Sequence, residues 1–66
     1  MIPMYTNGQI SRLIDEHLHS HRDRMILKRR LIDGITFESL AEEFDLSVRQ
    51  VKTIVYKSQN IIFKYL

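Results

Sequence analysis

The span from Thr36 to Tyr56 constrains this chain most, because several local rules agree within it. Leu40, Phe44, Leu46, Val51 and Ile54 are apolar at spacings that let two short helices share one core. Ala41 is small where those helices must cross closely. Asp45 stands at the bend, where a residue tolerant of left-handed backbone is needed. Ser47, followed three residues later by Gln50, forms a capping-box pattern that opens the second helix. The segment predicts two helices joined by a tight turn.

Helical periodicity extends through almost the whole chain, and no segment alternates as a strand. A first helix is expected over residues 7–19, opening at Thr6 or Asn7 with Gln9 placed to complete the cap. Its inward stripe is Ile10, Leu13, Ile14, His17 and Leu18. Ser20 with Asp23 marks a fresh N-cap and a second helix over 21–32, with Ile26, Leu27 and Leu31 inward. Asp33-Gly34 ends it, Gly supplying positive φ. Thr36 caps a third helix over 37–44, and a fourth over 48–64 meets no Gly or Pro. On that last helix Val51, Ile54, Val55, Ser58, Ile61, Ile62 and Tyr65 share one stripe, while Arg49, Lys52, Thr53, Tyr56, Asn60 and Phe63 fall opposite. The predicted fold is all-α: one domain, 1–66, with a tri-helical helix-turn-helix core, an additional N-terminal helix and a long C-terminal helix.

At 66 residues without Cys, the domain has neither disulfides nor thiolate-bound metal to staple it. A chain this short buries only about 60% of its unfolded surface, so helix packing or a partner must supply stability. No apolar run is long enough to span a membrane. Met-Ile-Pro-Met-Tyr at the start is too short for a signal peptide and lacks its basic flank. A cytoplasmic location is therefore expected. The net charge is only +2, but it is unevenly distributed. Residues 22–32 hold Arg22, Arg24, Lys28, Arg29 and Arg30 against Asp23; residues 33–45 hold only acids; residues 46–66 hold only bases, namely Arg49, Lys52, Lys57 and Lys64. Basic stretches around an acidic one are expected where two elements face phosphate and the one between faces solvent or protein.

The stretch Arg22-Asp23-Arg24-Met25-Ile26-Leu27-Lys28-Arg29-Arg30, then Gly34-Ile35-Thr36-Phe37-Glu38, Leu40-Ala41-Glu42, Phe44-Asp45-Leu46-Ser47 and Val51-Lys52, resembles region four of bacterial sigma factors. That domain reads the promoter −35 element, and the likeness covers about half of the chain. The resemblance implies a sequence-specific regulator of transcription that binds double-stranded DNA, with residues 48–56 as the major-groove recognition helix. Family contacts to bases or phosphates fall on Val48, Arg49, Lys52 and Thr53. The family often has a charged residue where Val48 stands and a longer polar one where Thr53 stands, so a different sequence preference is expected. Arg49 suits guanine, Val48 a thymine methyl and Thr53 either; Lys52 suits phosphate. The helix end at Ser47 favours phosphate, and Tyr56, Arg29 and Arg30 join the candidate contacts, with Arg22 and Arg24 secondary. The expectation is a compact stand-alone regulator, of the sort found on phages and mobile elements, that lacks the domain melting the −10 region.

Other chemistries find less support. His17 and His21 have the i, i+4 spacing of a helical metal pair, but stable sites need three or four ligands and Ser20 breaks the helix between them. No metal or other cofactor is expected. Ser20 and Ser47 are explained by capping and Asp33 by a turn, and a domain this small offers no cleft for catalysis; an enzyme is not expected. The main alternative is an interaction module that docks on RNA polymerase or serves as a phage packaging or assembly subunit. The apolar N-terminal tail and the C-terminal segment would then bury against a neighbour. A single recognition helix binds weakly, so a second source of affinity is expected: a homodimer through Phe63, Tyr65 and Leu66, or RNA polymerase.

Overall fold

A computed structural model describes residues 5–66; the apolar tail at residues 1–4 lies outside them. The described residues form four α-helices and no strand: α1 (Asn7–His17), α2 (His21–Leu31), α3 (Phe37–Phe44) and α4 (Val48–Phe63). Each begins where a side-chain oxygen captures an amide three residues on. Thr6 accepts from the Gln9 amide, Ser20 from Asp23, Thr36 from Ser39 and Ser47 from Gln50. At Thr6 and Ser47 the capping box is closed reciprocally by the Gln side chain.

The helix ends also have local causes. α1 stops two residues before the expected His19 because Leu18 turns extended (φ −107°, ψ 134°) and drives its side chain into the core. The Arg24 guanidinium donates to the freed Leu18 carbonyl. α2 and α4 each end one residue earlier than expected, at Leu31 and Phe63. After α2, Gly34 takes φ 68° and the Ile35 amide reaches back to the Arg29 carbonyl. After α3, Asp45 adopts left-handed backbone (φ 56°, ψ 48°). The Leu46 amide bonds the Ala41 carbonyl at 2.9 Å and the Asp45 amide that of Glu42, the two bonds of a Schellman turn. Three residues thus join α3 to α4.

Among the described residues α2 and α4 touch every other helix, whereas α1 and α3 do not meet. α2, α3 and α4 form the tri-helical core, and α1 covers the side of the α2–α4 pair away from α3. Ile14, Ile26, Leu27, Leu40, Val51 and Ile62 are sealed from solvent, with Val55 almost so. Ala41 and Ser58 are the small buried residues, where a larger side chain would push α4 away from its neighbours. Phe44, Leu46 and Ile54 are only half-buried and line the edge. Two ion pairs bind the helices externally: Lys28 to Asp15 at 2.8 Å across α1–α2, and Arg29 to Glu43 at 3.1 Å across α2–α3. The hydrogen bond from Lys28 holds the Asp15 carboxyl below the ordinary aspartate range, partly offset by desolvation.

Leu40→Ala should cost about 2–5 kcal/mol, enough to unfold most of a domain holding about 0.05–0.15 kcal/mol per residue. Phe44→Ala should cost less, because its ring already sees solvent; urea titrations of the two variants would rank them. Gly34→Ala should cost about 1–2 kcal/mol from left-handed strain alone, since an added Cβ meets nothing within 4 Å. A melting temperature equal to that of the parent would contradict the strain.

Candidate nucleic-acid interface

The outward side of α4 carries the side chains proposed from sequence. Arg49, Lys52, Thr53 and Tyr56 are all exposed, and they share a face because Lys52 and Thr53 each lie three or four residues from both Arg49 and Tyr56 along the helix. The Schellman turn and the Ser47 cap hold this helix start against α3. Gln50 is committed to the cap through its side chain and its amide. The amides of Val48 and Arg49 remain as the outward-pointing donors of the helix end. Thr53 donates its hydroxyl to the Arg49 carbonyl at 3.0 Å, so it presents a methyl group and an acceptor oxygen outward. A cleft of about 320 Å³ opens beside this face, lined by Arg22, Leu46, Arg49, Gln50, Thr53 and Ile54. It brings Arg22 of α2 onto the same surface as Arg49, although 27 positions separate them in the chain.

Val48, assigned a thymine contact, is half-buried and packs against the core, so it supports the helix start beside the exposed Arg49, Lys52, Thr53 and Tyr56. Arg29 and Arg30, expected at phosphate, are engaged within the fold. Arg29 bonds Glu43 and Asp33, and these carboxylates, Glu43 foremost, raise its pKa above the ordinary value. Arg30 donates to the Ile35 carbonyl at 3.0 Å and stacks 4.3 Å over the Phe37 ring. Phe37 also meets Tyr56 edge-on (6.0 Å, 74°) and has the Lys52 ammonium 5.7 Å from its centre. This aromatic junction ties the start of α3 to the outer face of α4. Periodicity gave no sign of it, because cation–aromatic stacking joins residues far apart in sequence.

The cations therefore divide into two groups. On α2, Lys28 and Arg29 are paired across helices, Arg24 and Arg30 are tied to main-chain carbonyls, and Arg22 contacts Asp23 at 3.3 Å. On α4 and just beyond it, no ion pair engages Arg49, Lys52, Lys57 or Lys64 among the described residues, and no Asp or Glu follows Asp45 in the chain. At the C-terminal end, Tyr65 stacks on His17 (3.6 Å between centroids, 4° between planes), and the Tyr5 hydroxyl donates to the Leu66 main-chain oxygen at 2.6 Å. His19 and His21 are exposed. No group of three or more His, Asp or Glu side chains among the described residues has the arrangement of a metal site, and no helix among them is long and apolar enough to cross a membrane.

No family model, curated protein or solved structure matches this chain. The two groups of cations are separable by experiment. Arg30→Ala should lower stability by about 1–2 kcal/mol through its lost stack and hydrogen bond, whereas Arg49→Ala should stay within about 0.5 kcal/mol. Thermal melts of both variants check this; an unchanged melt for Arg30→Ala would remove its packing role.

Proposed function

We propose that this domain is a sequence-specific, double-stranded-DNA-binding regulator of transcription acting in the cytoplasm, with residues 48–56 as its major-groove helix. One observation carries the reading. The exposed face of α4 presents Arg49, Lys52 and Thr53 with no carboxylate engaging them among the described residues, whereas Arg24, Lys28, Arg29 and Arg30 of α2 are spent on the fold. Side chains that read a groove need polar groups free of carboxylate partners and a rigid element to hold them. The turn at Asp45 and the cap at Ser47 supply that rigidity.

The roles follow from chemistry. Arg49 matches the two acceptors of guanine, and the methyl and acceptor oxygen of Thr53 suit thymine or an amino-bearing base edge. Lys52 and Arg22 contact phosphate on either side, with the Val48 and Arg49 amides adding helix-end donors. Tyr56 closes the far edge of the face, and Val48 buttresses the near one. The resemblance to region four of sigma factors supports the same assignment of α3 and α4. It also makes a stand-alone regulator that contacts RNA polymerase a natural setting. The competing reading, an interaction module without sequence-specific DNA binding, draws on the half-exposed Phe63 near the end of α4.

Selection from a pool of random duplexes at two salt concentrations tests the proposal. A motif should emerge at both. Arg49→Ala should relax preference at one or two positions, a loss of about 1–3 kcal/mol of discrimination. Lys52→Ala should weaken all sequences alike and reduce the salt slope by about one. Retention without any motif, vanishing at the higher salt, would reject sequence-specific recognition.

A further inference from the structure

The distal half of α4 is organised differently from the half assigned to DNA. Tyr56 and Phe63 are each 50% exposed, and Asn60 lies exposed between them. Their i, i+4, i+7 spacing places all three in one line along the solvent side of the helix. A lone exposed aromatic residue is ordinary; two aligned on one helix face, flanked by Lys57 and Lys64, form a ridge with a chemical character. The flanking lysines have no ion pair among the described residues, and no Asp or Glu occurs in residues 46–66. Tyr65 and Leu66 continue the exposed apolar surface at the chain end (55% and 41%), with the Tyr65 ring stacked on His17 and the Leu66 main-chain oxygen accepting from Tyr5.

Three occupants compete for the ridge. Duplex DNA suits it poorly: Phe63 lies about 21 Å along the helix axis from Arg49, beyond a major groove about 12 Å wide. A second copy also suits it poorly. A two-fold pairing of α4 helices sets a face without Asp or Glu against itself, so Lys57 and Lys64 meet no carboxylate side chain on the other copy's α4. An acidic surface suits it well, because the aromatic line offers apolar contact and the lysines offer charge to the same partner.

We propose that the distal half of α4 is a docking face for an acidic amphipathic helix of a partner protein. That helix lays apolar side chains over Tyr56 and Phe63 and aligns carboxylates with Lys57 and Lys64. The ridge shares Tyr56 with the DNA-reading face and is otherwise separate from it, and the two are read by separate assays. If both hold, one helix carries two functions in series, DNA at its start and protein at its end.

The test is a display library of random peptides about four helical turns long, panned on the full chain. Recovered peptides are then assayed against Phe63→Ser and against the double variant Lys57→Glu/Lys64→Glu, both at exposed positions, with circular dichroism confirming the fold. The expected result is enrichment of acidic amphipathic sequences whose affinity falls at least about tenfold in both variants, as for anchors of an interface. No enrichment, enrichment without acidic bias, or equal binding to the charge-reversed variant would overturn the proposal. Two further measurements name the rival occupants. Amide NMR shifts at Asn60 and Phe63 as large as those at Arg49 on adding duplex DNA would assign the ridge to DNA. A dimer in sedimentation that Phe63→Ser abolishes would assign it to a second copy. Either would overturn the partner-helix assignment.

Discussion

Everything in this domain is organised around α2. A chain of 66 residues cannot wrap a core from all sides, so one helix has to serve as wall to all the others. Ile26 and Leu27, adjacent on α2, point about 100° apart and are both sealed from solvent, which requires neighbours on two sides. α1 and α3 both pack on α2 without meeting each other, and α4 touches all three. The outer edges of α2 are closed by polar contacts, Lys28 to Asp15 and Arg29 to Glu43. Exposed pairs of this kind contribute little stability each, about 0–1 kcal/mol. Their consequence is geometric: they set how α1 and α3 sit on α2, and so where the turn after Asp45 launches α4.

The same circumstance explains what the sequence made legible and what it hid. Starts and stops were readable because they are local. Thr6, Ser20, Thr36 and Ser47 each cap within three residues, and Gly34 and Asp45 each solve a backbone problem on the spot. The buried stripes followed from periodicity except at Tyr65, which falls beyond the last turn of α4 and stays exposed; the polar face of α4 followed too. The fate of the α2 cations did not. A run such as Arg29-Arg30 looks alike whether it awaits phosphate or a carboxylate, and Glu43 and Phe37 reach it only through the tertiary fold. Val48 hid for a related reason. The first turn of a helix rotates its residues between core and solvent, and the packing of α3 on α4 decides which one turns inward. Likewise, the extended Leu18 shortened α1 because burial of one side chain outweighed another half-turn of helix.

A separation of charge by purpose follows. Carboxylates cluster before and within α3, where two of them hold Arg29, and then cease. The bases beyond that point have nothing within the described fold to neutralise them. Such a surface attracts anionic partners at long range in proportion to its uncompensated charge and loses that attraction as salt rises. Net charge understates this, because the acids and bases that cancel in the sum lie on different faces.

The contacts between Tyr5 and Leu66, and between His17 and Tyr65, have a consequence for the order in which the molecule comes apart. The first joins the two ends of the described chain and the second also spans most of it, so the entropy of closing those loops must be met before they form. They rest on exposed groups, which return little in exchange. α1 in turn leans on α2 and α4 alone. Together these features divide the domain into two tiers of protection: an inner unit of α2, α3 and the start of α4, and an outer one in which α1 and the last turn of α4 open together. Amide hydrogens of the outer tier would exchange while the turn at Asp45 stays closed, leaving one end of the longest helix adaptable and the other fixed.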